Sequence, residues 1–396
     1  MTETYGHTDP QKMFELGDVY GIGFDPARAA RRPLRLGIIG AGGVAQSKYL
    51  PAITRLRTLW EPVEVVAVAD PDETQGRKVE CIYGARWYHD HRELIAGEKL
   101  DGVIVTVPDD LHAPITRDVL TAGIAALVEK PCTTSLGDAR GLCDLAARLG
   151  VPLMPVANLR FSPPHRRARR LIDEGTVDRP HLFVGKMNMG YDYVHLLEDT
   201  TVHLFDLARY FMGDVDSVTA AAPEGITPAR YPVGTAVITL RFASGAVGLL
   251  HSSSTALSLK PWYRVEVYAH GSWLEVDDIH QLSLYDSEQG PTQTWRPVFA
   301  NTLYFDEEFS GYTGLVEEFL ATMRGERAPA ITGEDGLKAY ELVAATHLAL
   351  ATGQAVRLPL APLDADSRVT SWLTGQPAGA GTESAQRTAS AARSMS

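Results

Sequence analysis

Apolar positions along the chain fall into two styles. From Leu34 onward, short runs rich in β-branched residues recur at Leu34–Ile39, Val63–Ala69, Val103–Val107, Ile124–Val128 and Val151–Val156. Segments with helical spacing lie between them: one running to about Thr58, which Pro51 should kink or divide, Ile115–Ala122, and Leu136–Leu149, which stops at Gly150. Continuously apolar strands alternating with helices predict βαβ units, hence a parallel sheet covered on both faces. After about Asn158 the pattern changes. A helix over Pro164–Glu174 leads into strand-like runs at His181–Lys186, Thr235–Phe242, Ala246–His251, Arg264–Ala269, Trp273–Val276 and Gln281–Tyr285. Ser244-Gly245 and His270-Gly271 stand where hairpin turns belong. Helices over Gly314–Arg324 and Gly333–Thr352 close the pattern.

The expectation is a doubly wound α/β domain over 34–157, followed by an α+β domain over 158–365 with a large, mostly antiparallel open sheet. An arm over 1–33 ends in Arg28, Arg31 and Arg32, and the Ala-, Ser-, Gly- and Thr-rich tail from 374 is expected to be disordered. A length of 396 residues agrees with two domains, because single cores stop growing at roughly 250–300 residues. The formal net charge of −12 argues against a nucleic-acid partner. No apolar run approaches the roughly 20 residues that a membrane helix needs. Cys81, Cys132 and Cys143 are odd in number, with no CxxC spacing, and the start Met1-Thr2-Glu3-Thr4 lacks the features of a secretion signal. A reduced, cytoplasmic setting is expected. His89 and His91 lack further ligand partners, so no metal site is expected.

Gly40-Ala41-Gly42-Gly43-Val44-Ala45 is a GxGxxA pattern placed between the first strand and the first helix. Gly40 permits the tight turn, Gly42 lets backbone approach a pyrophosphate, and small Ala45 lets helix and strand pack closely. The helix start offers unbonded N–H groups to an anion. Asp70, at the end of the second strand, can accept from ribose hydroxyls and repel a 2′-phosphate, so NAD is preferred. Arg77 leaves NADP possible. The pattern therefore indicates a Rossmann-type dinucleotide-binding domain.

Four segments resemble the Gfo/Idh/MocA family of oxidoreductases, named for glucose–fructose oxidoreductase and inositol dehydrogenase. They are the glycine turn, Thr106–His112 (similar to a TPNxxH turn), Glu129-Lys130-Pro131 (an EKP motif) and Asp199–Asp206 (a DxxxHxxD helix). Asp109 stands where the family has Asn. The resemblance implies Lys130, Asp199 and His203 as catalytic residues, and a homodimer or homotetramer. It adds Pro108, His112, Glu129 and Lys130 to the glycine turn and Asp70 as cofactor contacts.

The chemistry agrees, since hydride transfer from a secondary alcohol needs a base and a donor for the developing oxyanion. Four positions apart, Asp199 and His203 would share one helix face, with His203 titrating near neutrality. In the division of labour that the resemblance implies, His203 is the base, Lys130 polarises the reacting oxygen and Asp199 fixes a neighbouring hydroxyl. Asn158, Arg160 and Tyr191 are candidate substrate contacts. The reading is an NAD-dependent dehydrogenase or ketoreductase of a sugar, glycoside, nucleotide sugar or cyclitol. The alternatives are a glycosidase that oxidises its substrate transiently and a non-catalytic dinucleotide-binding regulator.

Overall fold

A computed structural model describes residues 26–189, 195–224, 233–256, 262–296 and 310–360. Strands β1 (Leu34–Ile39), β2 (Val63–Ala69), β3 (Arg86–Tyr88), β4 (Gly102–Val105), β5 (Ala125–Val128) and β6 (Leu153–Pro155) form one sheet in the order β3-β2-β1-β4-β5-β6. Every neighbouring pair is parallel. β4 and β5 are buried at every position, as helices on both faces require. Side chains alternate between two cores: Ile104 joins Leu50, Ile53 and Leu56 on one face, while Val103 and Val105 join Val119 and Leu142 on the other.

Three local differences from the sequence reading have physical causes. β3 is three residues of part-exposed edge, too short and polar to register as an apolar run. The expected strand over 103–107 stops at Val105, and the next helix starts at Asp109, six residues earlier than the apolar spacing suggests. Pro108 and two acidic residues suit a helix start. Pro51 divides nothing: Ala45–Tyr49 winds as a π-turn that runs straight into the Leu50–Thr58 helix, and the proline occupies that helix's first turn.

Among the described residues the second sheet has nine strands: β7 (Leu182–Asn188), β8 (Val215–Ala221), β9 (Thr235–Phe242), β10 (Val247–Ser253), β11 (Tyr263–Ala269), β12 (Ser272–Asp277), β13 (Gln281–Tyr285), β14 (Gln293–Trp295) and β15 (Val356–Arg357). Their order is β14-β13-β12-β11-β7-β10-β9-β8-β15. β7 and β10 pair parallel and the other neighbours antiparallel. Period-two alternation sets the faces. Ala236, Ile238, Leu240 and Phe242 of β9 point into a core shared with Leu171, Phe205 and Leu342, from helices Pro163–Asp173, Val202–Met212 and Gly333–Thr352. Val237, Val247 and Leu249 are exposed on the opposite face.

The chain then returns. The Tyr312–Met323 helix, grouped by the sequence with the second domain, places Leu315, Val316 and Phe319 in the first domain's core beside Leu36 and Leu56. Among the basic residues before β1, Arg28 pairs with Glu61 and Glu317, Arg31 with Glu326, and Arg32 with Asp101. The end of the arm is thereby fastened to both.

Candidate active site

The strand order reverses between β1 and β4, and ligands of open α/β sheets bind at that switch point. Gly40 leaves β1 with φ 95°, and a Cβ there would lie 2.5 Å from the Thr106 carbonyl oxygen, so only glycine fits. Gly42 and Gly43 have nothing within 4 Å of a built Cβ, which leaves the outer surface of the turn open to a ligand. Val44 is exposed and Ala45 fully buried. Asp70 Oδ2 accepts from the Ala41 N–H at 2.6 Å and Oδ1 from the Asp72 N–H at 2.8 Å. The carboxylate thus pins the glycine turn to the end of β2. A groove of ≈ 860 Å³ runs over Gly40, Gly42, Asp70, His89, Val107 and Pro108. These residues fit a dinucleotide. Arg77 is taken up by Glu73 and Glu80, with its guanidinium over the Trp87 ring at 4.6 Å, so a 2′-phosphate finds it already engaged.

Lys130 leaves the end of β5, and its Nζ donates to Asp199 Oδ1 at 3.3 Å. Asp199 Oδ2 accepts from the His195 N–H at 2.8 Å. The expected single helix through Asp199 and His203 is replaced by a π-turn over Leu196–Thr201 followed by the Val202–Met212 helix. His203 is half-buried and lines a cavity of ≈ 30 Å³ together with Lys130. Burial pushes its imidazole down to about 3, with the Lys130 ammonium acting in the same direction and Asp199 against it. His203 is therefore neutral throughout the physiological range, a correction to the expected titration near neutrality. Burial, and next the Asp199 carboxylate, raise the Asp109 carboxyl above its usual range. The departure from Asn thus brings a second acid to the cluster.

Two expected cofactor contacts lie beneath the groove. The Glu129 carboxylate is buried, accepting from Tyr49 Oη at 2.9 Å, Tyr312 Oη at 3.2 Å and the Lys130 N–H at 3.0 Å. His112 is also buried, with its ring between the carbonyl oxygens of Pro131 and Val107, at 2.7 and 2.9 Å. These two brace the turns that present Pro108 and Lys130. The expected substrate contacts at the domain junction are buried as well. Asn158 Nδ2 donates to the Ser310 carbonyl at 2.6 Å. Arg160 grips Asp206 through both Nε and Nη2 and reaches Asp335 at 3.2 Å. Arg160 is thus engaged by acids of two second-domain helices, whereas Asn158 Oδ1 has no hydrogen-bond partner among the described residues. Tyr191 lies outside the described residues. Among the described residues no group of three or more His, Cys, Asp or Glu could hold a metal ion.

Residues 34–156 match a family model described as "Oxidoreductase family, NAD-binding Rossmann fold", and residues 165–275 match the "GFO/IDH/MocA C-terminal domain". The chain belongs to the Gfo/Idh/MocA oxidoreductase family. Similar relatives include D-apiose dehydrogenase of Paraburkholderia graminis, 27% identical over 79% of this chain and 87% of the relative. Myo-inositol 2-dehydrogenase of Thermotoga maritima is 27% identical over 82% of this chain and 98% of its own length. The fold is shared with the crystal structure of an Agrobacterium radiobacter oxidoreductase in complex with NAD+, L-tartaric acid and magnesium, at TM-score 0.74 and 20% identity, covering 82% of this chain and 98% of that one.

Within this Gfo/Idh/MocA chain the motif reading missed Tyr49 and Tyr312, the two phenols that hold Glu129. They stand edge to face with ring centroids 5.1 Å apart. Tyr49 stands at the head of the apolar run Leu50–Ile53 and reads as ordinary core, and Tyr312 comes from the returning helix, far along the sequence. Nothing local marks either one. A third phenol, Tyr340, lines the cavity beside Lys130 and His203 and was equally unmarked.

Proposed function

We propose that the protein is an NAD-dependent dehydrogenase of a secondary alcohol on a sugar or cyclitol, working through Lys130, Asp199 and His203. One observation carries this reading: the Lys130 ammonium, ion-paired with Asp199, shares a cavity with neutral His203 at the end of β5, beside the groove of the glycine turn. The dinucleotide, when bound, supplies the hydride acceptor. Gly40, Gly42, Gly43 and the helix start after them would hold its pyrophosphate, and Asp70 its ribose. His203 takes the hydroxyl proton as the carbon gives up its hydride. Lys130 steadies the negative charge that grows on that oxygen, while Asp199 keeps Lys130 in place and accepts from a neighbouring hydroxyl. The names of the two curated relatives, a D-apiose and a myo-inositol dehydrogenase, support a polyol substrate.

A cytoplasmic setting is supported by the three unpaired thiols Cys81, Cys132 and Cys143. Val237, Val247 and Leu249, exposed together on the outer face of the second sheet, support a dimer or tetramer formed through that patch; light scattering of the purified protein would test the assembly.

The test of function is NADH formation, followed by absorbance, across inositols, pentoses, hexoses, glycosides and nucleotide sugars. Reduction of NAD by one class establishes the activity and names the substrate. Silence across the panel with NAD still binding would sink the reading, and release of an aglycone without NADH accumulation would point to transient oxidation instead.

A further inference from the structure

Tyr340 lies in the Gly333–Thr352 helix, 3% exposed, and its hydroxyl has no hydrogen-bond partner among the described residues. A buried phenol left so is a cost to the folded chain, because its hydroxyl loses water and gains nothing. The residue lines the same ≈ 30 Å³ cavity as Lys130, Val202, His203 and Ala339. That volume admits one or two oxygen-sized groups, not a sugar ring. The carboxylates whose charge reaches the phenol are Glu198, next in sequence to Asp199, and Asp109, which itself feels Asp199 and Lys130, so the ring stands beside the catalytic cluster whose cavity it lines. Burial first, and those carboxylates after it, hold its ionisation well above the usual phenol range. The hydroxyl keeps its proton and is a donor waiting for an acceptor.

We propose that the Tyr340 hydroxyl is a specificity-determining donor of the substrate site, binding one hydroxyl or carbonyl oxygen of the polyol that enters the cavity beside Lys130 and His203. This rests on the dehydrogenase reading and deepens it. A site built to bond an oxygen discriminates strongly against a substrate lacking it, since the phenol is then left as bare as in the ligand-free protein. The unsatisfied group is retained, on this account, because the bound state satisfies it.

Tyr340→Phe removes only the oxygen and keeps the ring's packing. In the full-length protein, kcat/KM for the substrate found by the panel should drop by about 10- to 100-fold, while NAD affinity is unchanged and Tm is equal or higher. Substrate analogues missing one hydroxyl at a time supply the second readout. For one such analogue the wild type and Tyr340→Phe should be equally slow, as expected of two groups that bond each other. A wild type that turns over while Tyr340→Phe matches it on every substrate overturns the inference and leaves the dehydrogenase reading standing. A lower Tm with unchanged kcat/KM overturns it too, marking Tyr340 as structural.

Should no polyol be turned over, protection by myo-inositol with NADH decides. A rise in Tm seen in the wild type and lost in Tyr340→Phe supports the inference while the hydride-transfer reading fails. No rise in the wild type overturns both.

Discussion

At neutral pH the His203 imidazole is already unprotonated, since burial and the Lys130 ammonium hold it at about 3. A base so weak in the ligand-free protein needs its partner's charge. In the proposed mechanism, Lys130 offsets the oxyanion as the substrate hydroxyl ionises, and that offset is what lets the proton pass to the imidazole. The sign of the pH dependence follows. His203 is competent above its pKa and is lost as pH falls through it, so kcat/KM at saturating NAD should show no acid limb centred near pH 6.5. A limb there that vanishes in His203→Asn would contradict the pKa shift. Lys130→Ala should lower kcat by about 10²- to 10⁴-fold and leave the NADH Kd, read by fluorescence titration, nearly unchanged. It should also move any acid limb of the residual activity to higher pH, because one of the forces lowering His203 has been removed. Residue identity at this cluster was legible in the EKP and DxxxHxxD segments. Protonation was not, because it depends on burial assembled from both domains.

Among elements, strands buried on both faces were legible because they read as apolar runs, unbroken in β4 and β5 and interrupted in β1 and β2 only by Arg35 and Glu64. β3 was not, and neither were the helices Glu73–Tyr83 and His91–Gly97, which announce themselves only through the caps Asp72 and Asp90. The π-turns over Ala45–Tyr49 and Leu196–Thr201 were hidden too, since their residues suit a regular helix equally well. The glycine turn shows what such placement does. Its position depends on Asp70, whose two oxygens hold the Ala41 and Asp72 N–H groups, and the same carboxylate faces the groove. Asp70→Asn keeps an acceptor and removes the charge, so preference for NAD over NADP should shrink by about 10-fold or more, the worth of a hydrogen bond to a charged group. Asp70→Ala frees both N–H groups and should also weaken NAD itself. Kd values for NADH and NADPH with each variant check both, and an unmoved preference in Asp70→Asn would detach the carboxylate from cofactor choice.

At the scale of the whole molecule, the change of pattern near Asn158 marks the second domain, but the return of Tyr312–Met323 into the first core leaves no local trace. Such a contact spans too much sequence for periodicity to register it. Arg160 shows how the segment that enters the second domain is held to its helices. Nearly buried, it meets Asp206 from the Val202–Met212 helix, Asp335 from the start of the Gly333–Thr352 helix, and the Ala330 carbonyl. Burial draws the Asp335 carboxyl upward, yet Arg160, with Thr332 and Arg209, holds it below its usual range. Arg160→Met would leave Asp206 buried without its cation, which costs about 3–5 kcal/mol, read as a lower midpoint in urea. Acid should narrow the gap, because the hold of Arg160 on the Asp335 carboxylate, which only the wild type has, is lost as pH falls through that lowered pKa. Arg160→Met with Asp206→Leu replaces the pair by apolar side chains of similar reach, and such exchanges are often neutral. Stability should therefore return in the double variant. If Arg160 instead met substrate, the double variant would fold well and still fail to turn over; a purely structural tie predicts that activity returns together with stability.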